Sequence, residues 1–417
     1  MTSNNKSEPI VDHLFRHQYG KMVAILARIF GLEHLDLIED AIQDTFLKAS
    51  LQWREKQPEK PEAWLTQAAK NRVLDLLRQI QARQKREAAF PHASSALEIN
   101  EQFLDPEIDD AQLRMIFVAC HPALSSSEQI AFALKAISGF SGKEIASALM
   151  QKEDSIKKRL QRARKKIQDE GIAMHFPEPD EMESRMQAVM QIIYLIFNEG
   201  FHSNKPDSLV DKELCGEALR LCKLLLSRKT FRSGSLYALF ALLCYNAARL
   251  DAKVSDDEVL DLKQQDRQKW YAPLIDLGHD ALYRSLYDFK DRSAYHFGAL
   301  IASEHIRAAN FESTNWPQIL NYYQEMYQYL PSASIPLSKA IIYLQIQEAH
   351  QAKAELEAIE IKDLEQRSYL YYATWAELHL MENHADKATK MLKIAIEHCS
   401  NKLEEDYLKK KLASIIT

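Results

Sequence analysis

Apolar residues fall at three- and four-residue intervals in block after block of this chain, the period of an amphipathic helix. In HLFRHQYGKMVAILARIF, from His13, the residues Leu14, Phe15, Met22, Ile25, Leu26 and Ile29 share a stripe, and Gly31 stands where a helix stop belongs. LDLIEDAIQDTFLKASLQW follows, with Leu37, Ile38, Ala41, Ile42, Thr45 and Phe46 on one face and Asp40, Gln43, Asp44 and Lys48 on others. Pro58 and Pro61 mark a loop, and Pro61 suits the first turn of a third helix. That helix, EAWLTQAAKNRVLDLLRQIQARQKR, is expected to bury Trp64, Leu65, Ala68, Val73, Leu76 and Leu77. Its polar side shows Lys70, Asn71, Arg72, Arg78, Arg83, Lys85 and Arg86.

The pattern then lapses. Residues 89–111 read as an acidic linker without sustained periodicity. Helix resumes from Leu113 to Cys120 and breaks at His121–Pro122, after which Ser125–Ser127 with Glu128 can cap another helix. GFSGKEIASALMQKEDSIKKRLQRARKKI, residues 139–167, reads as two short helices about a tight turn, Met150–Gln151–Lys152, that contains no glycine. Pro177 and Pro179 close this block. From 181 to 417 the chain is helical again, and two segments match at a 36-residue offset: Ala340, Tyr343, Ala352 and Leu356 correspond to Ala376, His379, Ala388 and Leu392. Small residues at a helix crossing, followed by an apolar anchor, follow the logic of tetratricopeptide repeats, whose period is ~34 residues. This predicts a repeat-like array over 333–417. Gly200, in the NEG of 198–200, looks like a helix stop, and Trp316, Ile319, Leu320 and Tyr323 look like one core-facing side of a helix.

Composition sharpens this picture. A chain of 417 residues implies roughly two to four domains. With 46% hydrophobic residues and only 10 glycines, an all-α, multidomain protein is expected. The net charge of −6 hides a segregation of sign. Lys152, Lys157, Lys158, Arg159, Arg162, Arg164, Lys165 and Lys166 crowd one segment, whereas 87–112 carries seven acids and no Lys or Arg. The five cysteines show no CxxC spacing, the first residues show no secretory pattern, and no apolar run approaches the ~20 residues of a membrane span. A soluble, cytoplasmic protein with no membrane association is the expectation. No P-loop, HExxH or GxSxG occurs, so neither catalytic residues nor a cofactor are expected. His13 and His17 share a helix face but lack a third ligand, so no metal is expected either.

The chemistry sits in the two helices of 139–167. If Ile145, Ala146 and Leu149 pack on Ile156 and Leu160, then Ser155, Lys157, Lys158, Arg159 and Arg162 face outward. That is the form of a helix-turn-helix, whose second helix enters the DNA major groove while basic side chains hold phosphates. DLIEDAIQDTFLKA, PEAWLTQAAKNRVLDLLR and this helix-turn-helix, in that order and at that spacing, resemble extracytoplasmic-function sigma factors of bacterial RNA polymerase over roughly 9–170. CHPALSSSEQIAFAL and IIYLIFNEGF further resemble the subgroup with a long C-terminal helical extension, in which a glycine-free turn is usual. The resemblance implies a region 2-like domain over 9–88, the linker 89–111, a region 4-like domain over 112–175 and the extension over 181–417.

It also implies partners and surfaces. Asp40, Gln43, Asp44 and Phe46 would grip the β′ clamp of core RNA polymerase, with the β flap as a second contact. Trp64, Lys70, Asn71, Arg72, Asp75 and Arg78 would read the melted proximal promoter element. Lys143, Ser155, Lys157, Lys158, Arg159, Arg162, Arg164, Lys165 and Lys166 would meet the distal element as duplex. The linker would run along polymerase channels, and the C-terminal half would regulate the protein by docking or by taking up a protein or ligand. Two rival readings use the same residues: a ligand-responsive one-component helix-turn-helix repressor, and a tetratricopeptide scaffold that binds only proteins.

Overall fold

The computed structural model describes residues 7–53, 57–84, 105–149, 151–202, 210–255, 258–399 and 402–416. Their regular structure is helical, apart from one short antiparallel ladder that pairs Val254–Ser255 with Glu258–Val259. The chain divides into two compact units, residues 1–199 and 200–417.

In the first unit α1 (Ser7–Phe30), α2 (Leu35–Gln52) and α3 (Pro61–Gln84) pack together. Their core is the stripe read from the sequence: Met22, Ile25 and Leu26 from α1, Ile38, Ile42 and Phe46 from α2, Leu65 and Val73 from α3. Gly31 adopts φ +97° and ends α1, a conformation that L side chains rarely take. The side chains of Leu14 and Phe15 lie outside the described residues.

The second group comprises α4 (Asp105–Ala119), α5 (Ser126–Ala136), α6 (Gly142–Ala148) and α7 (Glu153–Asp169). Its helix starts are written into the sequence. Ser125 with Glu128 and Ser141 with Glu144 form reciprocal capping boxes that satisfy otherwise unpaired N–H groups at each N-terminus. α4 begins at Asp105, six residues before the linker boundary placed at 111. Glu107 and Asp110, expected in the linker, lie on α4 and accept from Arg28 Nη1 of α1 at 2.7 and 3.3 Å. Of the linker, 89–104 lies outside the described residues.

The unit does not end near 175. Phe176 packs edge-on against Phe117 at 6.1 Å with Arg114 4.3 Å over its ring. On α8 (Met182–Phe201), Arg185 Nη2 donates to the Phe117 carbonyl at 2.6 Å. The division between units falls inside α8.

The second unit continues with α9 (Lys212–Ser227), α10 (Gly234–Ala247), α11 (Ala272–Tyr287), α12 (Ala294–Arg307) and α13 (Trp316–Tyr329). Gly200 is not the stop expected of it. α8 runs through it to Phe201, and a Cβ there would meet Asp211 O and Leu214 Cβ at 2.8 Å, so the glycine permits close approach of α9. On α13, Ile319 is buried against Ile301 and Ile342, with Trp316, Leu320 and Tyr323 around it, which makes this face core. Two helical hairpins follow: α14 (Ser334–Gln345) with α15 (Ala349–Glu357), and α16 (Ser368–Met381) with α17 (Ala385–His398). Ala340, Ala352 and Leu356 in the first and Ala376, Ala388 and Leu392 in the second are all fully buried. Their turns repeat as well, with Gln347 at φ 64° and Asn383 at φ 61°. α18 (Lys402–Ile416) closes the array, and its Leu408 joins the core of the second hairpin.

Candidate nucleic-acid and polymerase interface

The helix-turn-helix is built from apolar spacing. Ile156, Leu160, Ala163 and Ile167 of α7 are buried, as are Ile145 and Ala146 of α6, while Leu149 is half-buried. Gln151 N donates to the Ala146 carbonyl at 2.8 Å, so a backbone bond closes the turn without glycine. Lys143, Lys157, Lys158, Arg162 and Lys165 are exposed, and Ser155 and Arg159 are half-buried. Lys157 stands 3.0 Å from Glu153 one turn earlier, an exposed pair that phosphate can displace.

Two members of the basic run hold the fold together in this structure. Arg164 Nη2 donates to Glu39 Oε1 at 2.8 Å, and its Nη1 lies 2.9 Å from Asp36 Oδ1, joining α7 to α2. Lys166 Nζ donates to Glu128 Oε2 at 2.8 Å, tying α7 to the capping box of α5. Burial alone would raise the Glu128 carboxyl, but the bonds from Lys166 and Ser125 outweigh it and hold the group at about 2.

On α2, Asp40 and Gln43 are exposed and Asp44 is half-buried, but Phe46 is only 4% exposed and belongs to the core. Sequence reasoning missed Leu47 and Leu51, which are 62% and 56% exposed. With Asp40, Gln43 and Asp44 they follow helical spacing on the face opposite the core. The signal was present: both leucines fall off the buried stripe of their own helix.

On α3, Asn71, Asp75 and Arg78 are exposed, with Gln67 Nε2 donating to Asn71 Oδ1 at 3.1 Å and Arg78 lying 3.5 Å from Asp75. Trp64 is half-buried and meets Trp53 edge-on at 5.5 Å. Lys70, expected on the polar side, is 3% exposed, and burial lowers its pKa. Arg72 donates twice to Asp44 Oδ2, at 2.9 and 2.7 Å. Thus two residues expected on different surfaces bind each other and brace α2 against α3.

The α1–α3 group is packed on the α4–α7 group. Gly20 of α1 lies so close to the end of α5 that a Cβ there would stand 1.7 Å from the Ile137 carbonyl oxygen. Glu39, 5% exposed, also receives Lys135 Nζ at 3.6 Å, and that ammonium lies 5.1 Å from the Tyr19 ring centre.

Elsewhere, ligand atoms of His379, Glu382 and His384 lie within 4.8 Å of one another at the turn between α16 and α17. They could hold a metal ion, but they belong to neither face described above. Among the described residues no helix is long and apolar enough to cross a membrane.

Comparison with known proteins follows the same division of the chain. Residues 14–84 match the family described as Sigma-70 region 2, and 114–167 match Sigma-70, region 4. Residues 185–286 match a family of unknown function, DUF6596. An uncharacterized protein of Rhizobium meliloti is 32% identical over 348 residues, covering 81% of this chain and 80% of that protein. No solved structure matches.

Proposed function

This chain belongs to the sigma-70 family, as an extracytoplasmic-function-like sigma factor with a C-terminal helical extension, and on that premise we propose how its surfaces divide the work. As a sigma factor it binds core RNA polymerase and promoter DNA and directs promoter-specific transcription. The family is not a class of enzymes.

The outer face of α2 carries the polymerase contact. Asp40, Gln43 and Asp44 supply polar recognition, and Leu47 and Leu51 supply the apolar centre that a stable protein interface needs. These two exposed leucines are the observation that carries the reading, because a stand-alone repressor has no use for them. The exposed side of α3, from Trp64 through Asn71 and Asp75 to Arg78, meets the melted proximal element. A separated strand offers stacking faces and phosphates rather than a groove. Lys143, Ser155, Lys157, Lys158, Arg159, Arg162 and Lys165 meet the duplex element, with affinity dominated by phosphate contacts and falling steeply with salt. Arg164 and Lys166 keep intramolecular roles while the two groups of helices are packed together.

The packed arrangement is a resting state in this reading. Binding polymerase releases the Arg164–Glu39 contact and separates the two readers, and the C-terminal unit regulates that step.

Mixing the full chain with bacterial core RNA polymerase and genomic DNA fragments, then mapping transcript starts, tests the function. Discrete starts sharing an upstream motif are expected. Leu47→Ser with Leu51→Ser should abolish both starts and co-elution with polymerase. Retention of both by this double variant overturns the assigned surface. Tight duplex binding with no starts and no co-elution of the unaltered chain overturns the sigma reading in favour of a repressor.

A further inference from the structure

The C-terminal unit gathers four basic side chains that make no ion pair among the described residues. Arg249 and Lys253 follow α10, Arg267 opens the short 3-10 turn Arg267–Lys269, and His305 lies in the last turn of α12. Arg267 Nη1 donates to the carbonyls of His305 at 2.5 Å and Ala308 at 2.9 Å, with its guanidinium 4.5 Å from the Trp270 ring centre. Arg249 and Lys253 approach the Phe201 ring at 5.8 and 3.7 Å, and Lys253 Nζ donates to the Phe201 carbonyl. The hydrogen bond of the Arg249 side chain goes to a neutral group, Asn246 Oδ1, at 3.3 Å.

Two acids act on this group from a distance, Glu312 on Arg267 and Glu404 on Lys253. Glu312 stands 3.8 Å from Lys263. Meanwhile four polar atoms are shut off from solvent and find no hydrogen-bond partner among the described residues: Arg249 Nε, Arg267 Nη2, His305 Nδ1 and Trp270 Nε1. Lys253 and Trp270 are only 7% and 8% exposed. The groups also disfavour one another's charge. Burial first, then Arg267, pulls Arg249 down to about 10. Burial and then Arg249 bring Lys253 to about 8, and burial, Arg249 and Arg267 bring His305 to about 4. Cationic groups held partly out of water with idle donors are costly, and an opposite charge arriving from outside would offset that cost.

The geometry points to a binding site for a small oxyanion, a phosphate- or carboxylate-bearing metabolite, held by Arg249, Lys253, Arg267 and His305 with Trp270 Nε1 as a neutral donor. A guanidinium and an indole N–H are suited to planar or tetrahedral oxyanions, because fixed donors match their oxygens. The site stands whether or not the C-terminal unit regulates initiation, because it is tested by binding alone.

The test is thermal denaturation and isothermal titration of the full chain at constant ionic strength, with inorganic phosphate or succinate against chloride. A saturable rise in Tm is expected with at least one oxyanion; the larger response assigns phosphate or carboxylate. Arg249→Gln should be more stable than the unaltered chain in chloride, because it removes a charge that burial and Arg267 disfavour, and should lose the oxyanion response. Lys253→Met keeps the aliphatic stem over Phe201 and should weaken binding about tenfold, a typical cost of losing one charged contact. Lys263→Gln, at an exposed pair, should respond as the unaltered chain does. Absence of a saturable response to both oxyanions overturns the site. So does a response that survives both Arg249→Gln and Lys253→Met.

Discussion

Single side chains here serve two demands, holding the fold and presenting charge. Glu128 shows the first. It caps α5 through Ser125 and receives Lys166 from α7, and it is 4% exposed. A carboxyl whose folded pKa is depressed contributes stability above its unfolded value, and loses it as pH falls through the folded one. Here the window runs from the ordinary value of 4.5 down to about 2. The full contribution is on the order of 2–3 kcal/mol at neutral pH. Glu128→Gln should therefore lower Tm at pH 7, and the gap should close as pH falls below 4. A gap that stays constant down to pH 2.5, followed by thermal melts, would show that the carboxylate charge is not what stabilises the cap. Among the nine residues assigned to the duplex reader, the sequence could not separate Arg164 and Lys166 from their neighbours. Their partners, Glu39 and Glu128, lie 125 and 38 residues away, beyond the reach of any local pattern.

At the scale of elements, the decisive contact is between α1 and the end of α5. Gly20 sits mid-helix, where alanine is intrinsically favoured by up to about 1 kcal/mol. Gly20→Ala should leave α1 helical and still force the two groups of helices apart, because its Cβ has no room against Ile137. We expect a larger radius by small-angle scattering and tighter binding of duplex DNA as Arg164 is released. Unchanged scattering and unchanged DNA affinity would count against the packed state as a restraint. The helices themselves were legible, since each shows its stripe, its cap or its stop. The acidic stretch was legible only in part. Asp105–Asp110 reads as linker by charge, yet it is helical because Glu107 and Asp110 find Arg28.

For the molecule as a whole, we propose that the promoter-reading part needs residues beyond 175. A chain ending at Ile172 lacks Phe176, which covers Phe117 and Arg114, and lacks Arg185, which satisfies the Phe117 carbonyl. A chain ending at His202 keeps both. Residues 1–202 should melt cooperatively and support initiation with core polymerase, whereas 1–172 should be less stable by roughly 2–4 kcal/mol, from lost aromatic burial and the lost Arg185 hydrogen bond. Denaturant titration of the two chains decides this, and equal stabilities would leave the boundary at 175. If residues 1–202 initiate more strongly than the full chain, the C-terminal unit restrains initiation; if they fail while stable, it is required.

By itself the sequence determined the helical architecture, the order of the two sigma-type regions, the apolar faces of α2, α3 and α7, and the 36-residue repeat of the last hairpins. All of these rest on periods and motifs within a few turns of helix, where spacing alone decides which side chains share a face. Tertiary structure alone decided which charges are occupied. Asp44 with Arg72 and Glu39 with Arg164 depend on partners brought from distant helices, and so does the gathering of Arg249, Lys253 and Arg267 in one place. Burial likewise turned Lys70 inward from a face that reads as polar, because the helices that cover a face lie elsewhere in the chain.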